Sequence, residues 1–183
     1  MIFSHVSFQT WCCLLGIFNL ALGASMLVFK DKAAELLKAF PRSLIFGCLL
    51  SAVAFLWAAV ISYVAPLDFF LRFKTLITVI LVLSVPLSWV LIPDLLAARA
   101  LGGVMVLLPA PILVASRLVD TEWRLVVVSL MYIYALAGMV FIMSPYYCRD
   151  IITWMTKTPR RFMSAGAVTA AVGVLMFIVM ALA

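Results

Sequence analysis

Few side chains inside the apolar runs of this sequence could touch a ligand: Asn19, Ser84, Ser88, Tyr132 and Tyr134. Hydroxyls on helices in hydrocarbon usually bond their own backbone or a neighbouring helix. An amide there wants a partner across a helix interface, so Asn19 reads first as a helix contact. Ser84 and Ser88 flank Pro86, which frees a backbone carbonyl, and their hydroxyls could satisfy the freed group. A quinone or lipid could sit beside Tyr132, Tyr134 or a proline kink.

The parts of a catalytic site are not visible. An intramembrane enzyme needs a positioned nucleophile, base or metal. The sequence holds no Ser–His pair, no HExxH, no GxSxG, no phosphate-binding loop and no paired aspartates in an apolar run. No Asp or Glu falls well inside such a run, and ion-coupled transport usually needs one. The single histidine, His5, argues against a haem with two histidine ligands and against a His-based metal site, unless a partner chain supplies ligands. Cys12, Cys13, Cys48 and Cys148 form no CxxC pair and read as small hydrophobes. No catalytic residue, cofactor or metal is expected, and the chain is not expected to be an enzyme.

The elements that must position these residues follow from composition. The 183 residues are 68% hydrophobic and 11% charged, which excludes an ordinary soluble domain. The net charge of +6 does not point to nucleic acid, because the basic residues sit at the ends of apolar runs, where lipid headgroups lie. Continuous rather than alternating apolar runs indicate helices, not a barrel. Six spans are expected at 11–29, 44–64, 75–92, 99–115, 125–143 and 162–183, in one domain over 1–183. The first has the length of a signal peptide, with a possible cleavage site at 21–23. No Lys or Arg precedes it, however, and a retained span is the reading adopted. Pro86 should kink the third span, and Pro109 with Pro111 should make the second half of the fourth irregular.

Two segments between spans resemble each other. On a helical wheel Tyr147, Cys148, Ile151, Ile152, Trp154 and Met155 share one face, and Arg149, Asp150, Thr153, Thr156 and Lys157 the other. Likewise Phe29, Ala33, Leu36, Leu37 and Phe40 oppose Asp31, Lys32, Glu35 and Lys38. Amphipathic helices lying in the membrane interface are expected at 30–40 and 146–158. A proline ends each, at Pro41 and Pro159, because the residue before proline is pushed out of the α region. The echo fits either an internal repeat or a generic hairpin elbow. Trp154, Tyr146, Tyr147, Arg160, Arg161, Lys38 and Arg42 are the expected interfacial anchors. A shorter elbow at 93–99 contains Asp94 and Arg99, and Arg99 is expected to snorkel or to pair with Asp94.

The fold expected is all-α: a polytopic integral membrane protein with six transmembrane helices as three hairpins, its elbows on one side. Lys30, Lys32, Lys38, Arg42, Arg99, Arg149, Lys157, Arg160 and Arg161 fall on the elbow side, and only Arg72, Lys74, Arg117 and Arg124 on the other. The positive-inside rule then puts the elbows in the cytoplasm and both termini outside, in an inner (plasma) membrane. Small residues line the second span (Gly47, Ser51, Ala54, Ala58, Ala59) and the sixth (Ser164, Ala165, Gly166, Ala167, Thr169, Ala170, Ala171, Gly173), inviting close helix contact within the bundle or with a partner.

Two functions compete. A non-catalytic accessory subunit of a larger membrane complex explains the uncharged spans and short loops. Its partner patches would be the sixth span and the surface helices near Trp154 and Leu37. The alternative is a small-molecule or lipid transporter or binding protein, with a polar cavity lined by Ser84, Ser88 and Asn19. The partners expected are the lipid bilayer and other membrane subunits, not nucleic acid.

Overall fold

The computed structural model describes residues 7–64, 73–91 and 94–182. His5, residues 65–72 with Arg72, Ile92, Pro93 and residue 183 lie outside them. No strand occurs among the described residues. The helices are α1 (Phe8–Val28), α2 (Lys30–Ala39), α3 (Leu44–Val64), α4 (Lys74–Leu91), α5 (Leu96–Leu107), α6 (Pro109–Ser116), α7 (Arg124–Met143), α8 (Tyr146–Thr156) and α9 (Pro159–Leu182). Six stretches are long and apolar enough to cross a membrane, with α5 and α6 forming one of them, Leu96–Ser116. The protein is thus an all-α, six-span membrane protein.

The ends of these helices have local causes. Ser7 caps α1, its Oγ accepting the Thr10 N–H at 3.2 Å. Pro41 sits in a 3₁₀ turn (Phe40–Arg42) that follows α2. Pro159 plays a different part from the one expected. α8 ends at Thr156, and Pro159 opens α9, where its missing N–H costs nothing. The fourth span starts at Leu96 rather than at 99, so Arg99 lies one turn inside the helix. Leu95, with φ 54°, makes the corner before it. A left-handed leucine costs roughly 1–2 kcal/mol, and the packing of Leu96, Ala97 and Ala98 behind it holds the bend. The expected irregularity near Pro109 is an interruption at Leu108 between α5 and α6.

The elbows join successive spans up and down, and their ends meet: α2 touches α8, and the start of α5 touches both α8 and the 3₁₀ turn. Lateral packing follows another order. α1 packs on α9, α4 on α3, and α5 between α3 and α7, while the elbow-joined pairs α1 with α3 and α4 with α5 scarcely touch. For the first pair the reason is length. A ten-residue helix such as α2 covers about 15 Å, more than the roughly 8–10 Å between packed helix axes.

Glycine decides the closest approaches. Along α1 and α9 the pairs Gly16–Phe177, Leu20–Gly173, Gly23–Ala170 and Met26–Gly166 run in opposite directions, the mark of an antiparallel seam. A Cβ on Gly23 would lie 2.6 Å from the Ala170 nitrogen, and one on Gly173 2.7 Å from the Leu20 nitrogen. The small-residue face of the sixth span is therefore used within the chain. Gly102 and Gly138 do the same for α5 and α7, each Cβ position lying 2.7 Å from the other's carbonyl oxygen.

The main apolar core lies at the end opposite the elbows. There Phe8, Trp11, Cys12 and Leu15 of α1 meet Ile112 and Ala115 of α6, Val127 and Met131 of α7, and Met176 and Val179 of α9. In contrast, α4 has no fully buried residue and rests on α3.

Candidate functional site

Tyr134 and Asn19, named separately from the sequence, meet in the bundle. The Tyr134 hydroxyl donates to Asn19 Oδ1 at 3.2 Å, and Asn19 Nδ2 donates to the Leu15 carbonyl at 2.8 Å. Asn19 is only 3% exposed. The pair is a polar clasp between α1 and α7. It satisfies the amide internally, as a helix contact would.

The serines around Pro86 behave differently from expectation. The carbonyl freed by Pro86 is that of Val82, four residues back. Ser84 Oγ donates to the Ile80 carbonyl at 2.8 Å and Ser88 Oγ to that of Val85 at 2.8 Å. Each hydroxyl reaches a carbonyl on its own turn, because a short side chain bonds three or four residues back. Ser84 is half-buried with this bond made, and Tyr132 is 59% exposed on the outer surface. Neither joins a site with Asn19.

Ser88 does reach one. A cavity of about 420 Å³ lies against α3, α4, α5 and the end of α7. Ser51, Ser88 and Arg99 supply its polar groups, and Ala58, Leu81, Val106 and Leu107 line its depth. α4 and α5 both line it yet scarcely touch each other, so the cavity occupies the space between them. The small residues Ala54, Ala58, Ala100 and Gly103 make the room.

The polar groups differ in what they can still bond. Trp89 Nε1 donates to Ser51 Oγ at 2.9 Å, tying α4 to α3, and Ser51 Oγ donates to the Cys48 carbonyl at 3.1 Å. Ser88 has also spent its proton. Arg99 has not. Its Nε is buried with no acceptor in reach among the described residues. Asp94, the expected partner, is exposed, and the one ion pair among the described residues is Arg149–Asp150 at 3.1 Å. The pairing fails because α5 begins at Leu96 and turns Arg99 toward the cavity, away from the exposed corner. Buried donors without acceptors are rare in proteins, so this guanidinium is the site's unspent group.

The expected anchors gather at the elbow end. The Arg161 guanidinium stacks over the Trp154 ring at 4.8 Å, and the Tyr146 and Tyr147 rings lie 4.4 Å apart. Lys38, Arg42 and Arg160 are exposed. The apolar face of α8 divides. Cys148 is buried, with Ile152 and Met155 half-buried, while Tyr147, Ile151 and Trp154 stay exposed. Burial pushes the Cys148 thiol above its ordinary pKa.

Sequence reasoning missed Trp89, treated Ser51 only as a packing residue, and offered for Arg99, beside snorkelling, a pairing with Asp94 that the structure does not make. The available signal was an arginine opening an apolar run rich in Ala and Gly, with serines in two other spans. Among the described residues no three His, Cys, Asp or Glu side chains come together as a metal site would require. Comparison with protein-family models, with characterised proteins and with solved structures found no match.

Proposed function

We propose that this chain is a non-catalytic membrane protein that binds a small amphipathic molecule or lipid. One observation carries the reading: an apolar cavity of about 420 Å³, in the size range of ligand sites, with an unpartnered arginine at one end. An apolar wall with a few convergent polar groups is what such sites share. In this reading the elbows lie in the cytoplasm, α2 and α8 rest in the membrane interface through Phe29, Leu36, Ile151 and Trp154, and both termini are outside.

Extraction of the full chain in mild detergent, followed by native mass spectrometry, tests it. The expected spectrum shows the protein carrying one small molecule or lipid that survives dilution. A chain that always arrives bare overturns the reading.

The accessory-subunit reading keeps one observation in its favour. α4 rests on α3 and buries none of its residues fully, a surface that a partner helix could cover. Stoichiometric membrane proteins in the same purification would favour it. The sixth span is a poor partner patch, since its glycines are already spent on α1.

A further inference from the structure

The cavity has a direction. Arg99 lies one turn into α5, Ser88 one turn from the end of α4, and Ile142 one residue from the end of α7. All three helix ends belong to the elbow side, so Arg99 and Ser88 stand at the elbow-side mouth, with Ser51 about two turns into α3. Leu81 and Val106 are ten residues from those same ends, roughly 15 Å deeper. That is about half of a ~30 Å hydrocarbon core, the depth of one leaflet. The walls below the mouth are apolar, and the space between α4 and α5, which scarcely touch, is the path a lipid would take from the bilayer.

Charge then selects the head. Among the described residues no Asp or Glu lines the cavity, so the ammonium of a zwitterionic lipid would find no carboxylate there. The two serines have donated their protons within their own helices. The remaining donor is a guanidinium, whose planar fork matches the oxygens of a phosphate.

Resting on the ligand-binding reading above, we infer that the occupant is an anionic phospholipid of the elbow-side leaflet. Its phosphate sits on Arg99, and one acyl chain runs along Leu81, Val106 and Ala58. Arg99 is the residue that sets the preference for net negative charge.

The test uses the purified full-length protein in dodecyl maltoside, titrated with phosphatidylglycerol or phosphatidylcholine of identical chains, with bound lipid counted by native mass spectrometry. The expected result is a preference of about tenfold for phosphatidylglycerol, from one charge-assisted contact. Arg99→Gln should weaken both lipids, since each carries a phosphate, but phosphatidylglycerol more, because no ammonium offsets its charge, and so should remove most of the preference. Arg99→Lys should keep part of it, because the charge survives without the fork. Equal binding of both lipids by the wild type, or an undiminished preference in Arg99→Gln, overturns the assignment. A plug of the apolar depth, Ala58→Phe, separates the two readings. If it weakens both lipids while the wild type shows no preference, the cavity binds lipid and only the head-group assignment fails. If it weakens neither, the cavity is not the site and both fall. Excess inorganic phosphate should not displace the lipid, and displacement by phosphate alone would mean a free anion site in place of a lipid site.

Discussion

The α1–α9 seam and the α3–α4–α5 groove are built from the same small residues and do opposite things. In the seam, glycines on both helices fall seven apart, Gly16 with Gly23 and Gly166 with Gly173, so the close contacts repeat along one line and the backbones meet. In the groove the small residues lie on α3 and α5, but α4 stands off from α5, and the space between them stays open. Small side chains permit close approach, and whether they produce it depends on what the facing helix brings. In the seam each glycine is answered at close range by the other helix, by the Ala170 and Leu20 backbones and by the Phe177 and Met26 side chains. In the groove the facing residues include Leu81, Ser88 and the Arg99 stem, on helices held apart by the Leu95 corner and the Trp89 tie to α3.

The comparison can be broken most severely at the seam. Gly23→Leu puts a side chain where a Cβ alone would meet the Ala170 backbone at 2.6 Å, and backbone cannot step aside. The expected cost is about 3 kcal/mol or more, read as a drop of several degrees or more in thermal midpoint in detergent, or as loss of folded protein. A midpoint unchanged by Gly23→Leu would show that the seam is not tight.

Next in size is the clasp that ties the seam to α7. Tyr134→Phe leaves Asn19 Oδ1 buried without its donor. Hydrogen bonds between transmembrane helices are worth about 0.6 kcal/mol on average and up to about 1.7, so a loss of about 1 kcal/mol is expected from equilibrium unfolding in mixed micelles. Asn19→Leu together with Tyr134→Phe should recover part of it, because no unsatisfied group then remains.

In the groove, Trp89→Phe removes the hydrogen bond from α4 to Ser51. A loss of about 0.5 kcal/mol is expected. The clearer readout is hydrogen exchange. Amides of α4 should already exchange faster than those of α1 and α9 in the wild type, since α4 buries no residue fully, and the variant should widen the gap. Equal protection of the two regions would show that α4 is held as firmly as the seam.

The smallest effect sharpens the contrast. At Gly103 a Cβ would lie 3.4 Å from Ala54 Cβ, an ordinary contact. Gly103→Ala should therefore be neutral, or stabilising by up to about 1 kcal/mol through helix propensity. The same change at Gly23, in the seam, should destabilise.

Much of this fold was legible in the sequence because hydrocarbon leaves the backbone few choices. The six spans, both amphipathic helices and the interruption before Pro109 follow from apolar runs, wheel patterns and prolines. The role of Pro159 was half legible: the break was visible, but not that the proline would start a helix. Asn19 announced its need for a partner without naming Tyr134, which lies 115 residues away. For Arg99 one of the two expected outcomes, the pairing with Asp94, is not made. Proximity in sequence suggested Asp94, and one left-handed residue, Leu95, sent the two apart.

What the sequence determined by itself is therefore one-dimensional: which stretches are helical and apolar, where they end, and which side chains cannot stay unsatisfied in hydrocarbon. Hydropathy and hydrogen-bonding need are properties of a segment, so a segment can display them. Which helices touch is a property of pairs. Tertiary structure alone decided that the first span pairs with the sixth rather than the second, that Tyr134 answers Asn19, and that α4 stops short of α5. That last gap leaves Arg99 facing a cavity with its Nε–H still to be bonded.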